Sequence, residues 1–172
     1  MAWTAARTWV SDEIVTAAQF NEQIRDNLNY LNIRPSDLYV LNEGADYTIA
    51  TSTWTDVDAT DLALTITTNG GDVLISFAPT ILNGASTNTA TYLDVTIDAV
   101  REGGDDGLAK VLNLSPAEEH MLPMIYLKTG LSAGSHTFKV QWKRVGSGTM
   151  TMYAGAATAN SDIHPQFFVK EL

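Results

Sequence analysis

Phe138-Lys139-Val140-Gln141-Trp142-Lys143 is the stretch on which the fold turns. Its apolar and polar side chains alternate strictly, the period of two that puts one set on each face of a strand. A strand with one dry and one wet face belongs to an antiparallel sheet. Working outward, the same period recurs. Leu62, Leu64 and Ile66 alternate with Ala63, Thr65 and Thr67, and Asn69-Gly70-Gly71 follows as a turn. Val73, Ile75 and Phe77 form another run, and Leu93, Val95, Ile97 and Ala99 alternate with Tyr92, Asp94, Thr96 and Asp98. After Gly146-Ser147-Gly148 comes Thr149–Ala154, with Met150 and Met152 on one face, and Phe167-Phe168-Val169 makes a last strand. Weaker runs at Tyr47–Ala50, Val111–Leu114 and Met124–Lys128 bring the expected total to about eight strands. Short strands, Gly/Asn/Ser turns and no helix between them predict an antiparallel two-sheet jelly-roll sandwich.

Upstream the period changes. Val15-Thr16-Ala17-Ala18-Gln19-Phe20 opens a helix: Thr16 can cap it, Gln19 can complete a capping box, and Val15 and Phe20 have the spacing of a hydrophobic staple. The helix runs to Leu31, and Pro35 stops it. Ala17, Phe20, Ile24, Leu28 and Leu31 make one apolar stripe; Asn, Gln, Glu, Asp and Arg fill the other side. A helix of about 16 residues is marginal alone, so the stripe must bury against something. It packs either on the chain's own β-domain or on equivalent helices of other chains. The expected division is an N-terminal extended segment plus helix, 1–36, and a β-sandwich head, 37–172.

The 172 residues carry 10 Lys+Arg against 20 Asp+Glu, a net charge of −10, and 45% of them are hydrophobic. That hydrophobic share supports a packed core. The acidic balance argues against a nucleic-acid partner, which would be held through clustered basic residues. No stretch approaches the roughly 20 apolar residues of a membrane span, and the first ten residues do not read as a signal peptide. Without cysteine there is no thiol nucleophile, zinc-thiolate site or disulfide, so packing or oligomerisation must hold the fold. The charge is segregated: residues 35–100 contain nine acidic side chains and no Lys or Arg, whereas 120–172 carry a net +3. Late basic strands paired with early acidic ones in one sheet would neutralise this imbalance.

Catalytic motifs are scarce. Gly130-Leu131-Ser132-Ala133-Gly134 matches the G-x-S-x-G nucleophile elbow, but that elbow needs a strand before it and a helix after it. Here a strand follows, and the stretch reads as a β-turn. His120, His136 and His164 show no metal-ligand spacing. Asp56-Val57-Asp58-Ala59-Thr60-Asp61 and Asp105-Asp106 offer oxygens but no Ca²⁺-binding loop. The sequence therefore predicts no catalytic residue, no metal and no cofactor. Asn83–Asn88 and Gly103–Gly107 read as polar loops at strand ends, where binding would sit.

Two stretches resemble a known family. Arg7-Thr8-Trp9-Val10-Ser11-Asp12-Glu13-Ile14-Val15-Thr16-Ala17 through Arg25-Asp26-Asn27-Leu28 resembles a segment recurring near the N-terminus of tailed-bacteriophage virion proteins. Leu131–Trp142, with its Gly-Ser-Gly turn, is similar to the closing strands of jelly-roll heads on phage tail fibres, which are similar in fold to the tumour-necrosis-factor and C1q head. The resemblance implies a non-enzymatic virion structural protein, made in the bacterial host cytoplasm. It implies a homotrimer attached to other virion proteins through its N-terminal segment, its head projecting towards a host-surface glycan or protein. It also favours the stripe Phe20, Ile24, Leu28 and Leu31 as an interface between chains. If the head binds a host surface, Trp54, Tyr92 and Tyr153 are the candidate surface-binding aromatics, though taken singly each is more often a core or sheet-face residue. Long fibres place a shaft between attachment segment and head. Here only about ten residues intervene, which favours a short spike or knob. The competing readings are a capsid or tail decoration protein without host contact, and a carbohydrate-binding module or small hydrolase.

Overall fold

The structure is a computed structural model, describing residue 5 and residues 7–32, 34–84, 86–156 and 162–172, with the side chains of 30 and 32 left aside. The helix starts where its capping residues dictate. Thr16 Oγ1 accepts the Gln19 N–H at 3.2 Å, and Gln19 Oε1 accepts the Thr16 N–H at 2.8 Å, so both halves of the capping box form. It runs as α1 (Ala17–Phe20), a π-helical stretch (Asn21–Asp26) and α2 (Asn27–Asn32). The sequence predicts plain α-helix here, and the wider turn has a geometric rationale. Phe20, Ile24 and Leu28 are spaced by four, which drifts about 40° per step on a 3.6-residue helix. The i→i+5 bonding of a π segment takes more residues per turn and offsets that drift. The segment before the helix folds back along it. Arg7 pairs with Glu13, the Arg7 N–H donates to Gln23 Oε1 at 2.9 Å, and the Arg7 guanidinium sits 5.1 Å from the Trp9 ring centre.

From Ser36 onward the described residues form fourteen strands, paired antiparallel throughout. The first sheet holds β1 (Ser36–Val40), β14 (Gln166–Glu171), β5 (Gly71–Phe77) and β11 (Met124–Leu131), in that order. A second group repeats the order with β2 (Tyr47–Ile49), β13 (Met150–Met152), β6 (Thr80–Asn83) and β10 (Glu119–Met121). Prolines divide the two groups. Pro79 separates β5 from β6, Pro123 separates β10 from β11, and Pro165 precedes β14. A proline has no N–H to give to a ladder. Single bonds, Leu122 N–H to the Pro79 carbonyl (2.8 Å) and Leu41 N–H to the Pro165 carbonyl (2.9 Å), carry the layer across the break. The opposite sheet centres on β12 (Gly134–Val145), which pairs with β3 (Thr55–Asp56) and β4 (Ala63–Thr68) on one side and β7 (Thr89–Ile97) on the other. β7 in turn pairs with β8 (Val100–Arg101) and β9 (Ala109–Asn113).

One core lies between the layers: Phe77, Ile75, Val73, Phe167 and Val169 from one, Leu93, Val95, Phe138, Val140 and Trp142 from the other. Phe77 and Phe167 meet edge-on, centroids 6.0 Å apart. This is the jelly-roll sandwich that the alternation predicts, with more and shorter strands than expected.

Three turns behave differently from their sequence reading. Asn69-Gly70, Ser132-Ala133 and Gly146-Ser147-Gly148 each join strands of opposite layers, β4 to β5, β11 to β12 and β12 to β13, so none closes a hairpin. The run read through Ala99 stops at Ile97. Asp98 and Ala99 take φ of +51° and +69°, a two-residue hairpin turn into β8.

Candidate functional site

The helix stripe faces outward. Phe20, Ile24, Leu28 and Leu31 are 56, 43, 60 and 52% exposed, so they do not bury on the chain's own head. A second apolar surface, missed by the sequence reading, covers the outer face of the first sheet. Register places Leu38 opposite Phe168, Phe168 opposite Ser76, and Ser76 opposite Ile125, while Leu74 pairs with Leu127. Leu38, Val40, Leu127 and above all Ile125, at 73%, are exposed. The signal was available in Phe167-Phe168-Val169: three apolar residues without alternation put apolar groups on both faces. These apolar residues share one outer face, with Ser76 and Lys170 between them.

The opposite sheet, centred on β12 and called the second sheet from here on, has a polar and aromatic outer face. Trp54 is half-buried; the Arg101 guanidinium lies 4.7 Å and the Lys143 ammonium 4.8 Å from its ring centre. Lys143 also sits 4.9 Å from the Tyr92 ring, and Lys110 5.1 Å from it. Tyr92 is only 9% exposed and Tyr153 4%. Neither presents a free ring to a ligand: cations cover Tyr92, while Tyr153 is interior and its OH donates to Glu119 at 2.7 Å. Of the three candidate aromatics only Trp54 retains appreciable exposure, on the edge-strand β3 side of this face.

Gly103–Gly107 is not a loop at the end of the sandwich. It bulges between β8 and β9 and folds over Trp54. Asp94, fully buried, holds its base by accepting the Val95 and Gly103 N–H groups at 2.8 and 2.9 Å, with Arg101 at 3.3 Å. Burial raises the Asp94 pKa, against the pull of those donors and of Arg101. Two depressions lie on this face. One, of about 170 Å³, is lined by Tyr92 and by Asp106 through Lys110. The other, of about 210 Å³, is lined by Asp56, Thr96, Ala99, Thr137, Lys139 and Gln141. Within it Gln141 Nε2 donates to Asp56 Oδ1 at 2.7 Å and Lys139 Nζ to Asp56 Oδ2 at 3.3 Å. Basic β12 thus meets acidic β3, the neutralisation expected from the charge segregation.

The elbow-like Ser132 meets an unexpected partner. His136 Nε2 lies 3.5 Å from its hydroxyl, and His136 Nδ1 lies 2.7 Å from Asp98 Oδ2, the outline of a Ser-His-Asp set. The detail speaks for a clamp. Nε2 is 3.0 Å from the Ser132 carbonyl oxygen, which can only accept, so Nε2 carries a proton and has no lone pair for the hydroxyl. The hydrogen bond that His136 Nδ1–H donates to Asp98 raises the His136 pKa, while the Thr137 N–H and then His136 lower that of Asp98. Both charged forms are favoured. The imidazolium pins the β11–β12 corner to the β7–β8 turn.

The other candidates disperse. His120, in the middle of β10, lies 3.6 Å from Glu118, and His164, just before β14, lies 3.3 Å from Asp162. Asp58 Oδ1 accepts the Thr60 and Asp61 N–H groups at 2.7 Å, a local turn. Among the described residues, no three His, Cys, Asp or Glu side chains are placed to hold a metal ion. Asn83, one end of its predicted loop, is buried, and its amide donates to the carbonyls of Ser86 and Ser115.

No family model and no curated protein sequence matches the chain. Among solved structures, it is similar to Eiger TNF from S. frugiperda, at 11% identity over 81% of this chain and 93% of that one, with a TM-score of 0.49. It is similar to murine APRIL at 11% identity over 81% and 100% of the two chains, with a TM-score of 0.43. A chain of infectious bursal disease virus, Gt strain, matches at 9% identity over 79% of this chain and 36% of its own, with a TM-score of 0.35. The antiparallel sandwich itself is established by the strand pairing of this chain.

Proposed function

We propose that the chain is a non-enzymatic virion structural protein of a tailed bacteriophage, a short trimeric spike or knob. Its N-terminal segment attaches to the particle, and its jelly-roll head projects and meets the host surface. The observation that carries this reading is the pair of bare apolar surfaces, the helix stripe and the outer face of the first sheet. Equivalent copies are the natural cover for both, because closed symmetry lets one sequence bury the same patches on every subunit. The trimeric count and the phage setting rest on the resemblance of Arg7–Leu28 and of the closing strands. Arg7, Glu13, Thr16 and Gln19, all within that segment, hold one another locally. A self-contained lead-in of this kind suits an attachment element.

Light scattering on the purified protein tests the assembly. A mass of about 56 kDa, three times 18.6 kDa, is expected, and a mass of 18.6 kDa overturns it. Immunogold labelling of particles then tests the location: label on head or tail supports a virion protein, and unlabelled particles overturn it. Adsorption of particles lacking the protein separates host contact from pure decoration.

A further inference from the structure

We infer that the cleft between Asp56, Gln141, Lys139 and Thr96, on the outer face of the second sheet, binds one ring of a neutral sugar. Its charge decides the ligand class. The Asp56 carboxylate and the Lys139 ammonium lie 3.3 Å apart at about equal exposure and cancel each other. An anion entering the cleft meets Asp56; a cation meets Lys139. The ligand that suits both is uncharged and both donates and accepts, as each sugar hydroxyl does.

The polar groups are held in place before any ligand arrives. Asp56 is fixed in its plane by two donors, Gln141 Nε2 at 2.7 Å and Lys139 Nζ at 3.3 Å. With one amide N–H committed to Asp56, Gln141 brings an acceptor oxygen on the same rigid plane. Lys139 stands opposite Thr96 on β7, and Gln141 opposite Asp56 on β3, so all four project from adjacent positions of a paired sheet. Thr137 is hydrogen-bonded to Thr65 at 3.0 Å, and Ala99, held in the two-residue turn, closes one wall with a methyl group. Fixed polar groups on strands rather than on loops are what specific recognition needs. The volume of about 210 Å³ is below the roughly 300–1,000 Å³ of pockets for larger organic ligands, so a single ring is the fitting size.

The second depression continues the same face. Tyr92 lies four residues along β7 from Thr96, about 13 Å at the rise of a strand. Between them the bulge anchored on buried Asp94 interrupts the face, so the cleft at Thr96 takes its ring alone. The inference deepens the host-contact part of the proposed function and rests on it for the source of the sugar, a bacterial surface polysaccharide.

The test is a titration of the full-length protein with free glucose, galactose and N-acetylglucosamine, followed in ¹H–¹⁵N spectra. Sodium sulfate and calcium chloride serve as ionic probes. Saturable shifts of the Gln141 side-chain amide and the Thr96 and Ala99 backbone amides with at least one sugar are expected. Gln141→Ala and Thr96→Val should each weaken binding by about tenfold while leaving the rest of the spectrum in place. The inference is overturned if no sugar moves these signals, if sulfate or calcium saturates them instead, or if both variants bind as the parent does. The variants leave the helix and the first sheet untouched, so their solution mass stays that of the parent. Failure of sugar binding is therefore separable from failure of the trimer.

Discussion

His136 Nδ1 lies 2.7 Å from Asp98 Oδ2, joining the start of the longest strand to the tightest turn of the second sheet. The pair makes stability depend on pH in a defined window. The His136 pKa is raised above its ordinary 6.5, so its contribution is complete below that value and lost as pH rises through the folded pKa. The Asp98 pKa is lowered below 3.8, so its contribution is complete above that value and lost as pH falls through the folded pKa. Between those ordinary values both act together.

Replacing the imidazole with a neutral group, His136→Asn, should lower the thermal midpoint most between about pH 4 and 6 and progressively less as pH rises beyond 6.5. Asp98 is half-exposed, so the effect is of order 2 °C. Thermal scans of parent and variant across that range check it, and a difference independent of pH would contradict the clamp.

Glu171, next to the C-terminus, is fully buried, and its carboxylate accepts both the backbone and the side-chain N–H of Asn69 at 3.0–3.1 Å. Glu171→Ala strands those donors and should cost about 1–3 kcal/mol in chemical denaturation. Glu171→Gln keeps an acceptor and should cost clearly less. Equal losses would show that packing, not the hydrogen bonds, holds the corner.

Two adjacent phenylalanines should separate folding from assembly. Phe167 lies in the core against Phe77, and Phe167→Ala should cost about 3–5 kcal/mol. Phe168 lies on the outer face of the first sheet, so Phe168→Ser with Ile125→Asp should leave the head folded and dissociate the chains. Circular dichroism and light scattering read the two outcomes.

The helix stripe has its own prediction. Phe20→Asp should weaken association without changing the thermal midpoint of the dissociated full-length chain, because Phe20 is exposed in the single chain. An unchanged mass in Phe20→Asp, with dissociation in the sheet-face variant, would assign assembly to the heads alone.

Gly107 is a sensitive position. Its φ is +70°, and an added Cβ would stand 2.6 Å from the Trp54 ring and from the Leu93 carbonyl. Gly107→Ala should displace the bulge from Trp54 and alter tryptophan fluorescence, at a stability cost of about 1–3 kcal/mol. Fluorescence identical to the parent's would mean that the bulge does not depend on this contact.

The sequence by itself determined whatever rests on near neighbours along the chain. The Thr16–Gln19 capping box and the alternation at Phe138–Lys143 formed as read, because caps and periodicities are local geometry, while the helix stripe formed through a π-helical stretch rather than plain α-helix. The antiparallel sandwich followed from those periods. Only the tertiary structure decided which strands face each other, and with that everything functional. Asp56 and Gln141 are 85 residues apart, and His136 and Asp98 38; nothing in their spacing announces a cleft or a clamp. The prolines at 79, 123 and 165 were visible as letters, but their alignment across neighbouring strands exists only once the strands pair. The G-x-S-x-G motif was rightly read as a turn, yet its serine meets a histidine and an aspartate because that turn joins the two layers. Tyr92 and Tyr153 looked available as letters and are covered in space, since burial depends on the opposite strand rather than on the residue's own neighbours.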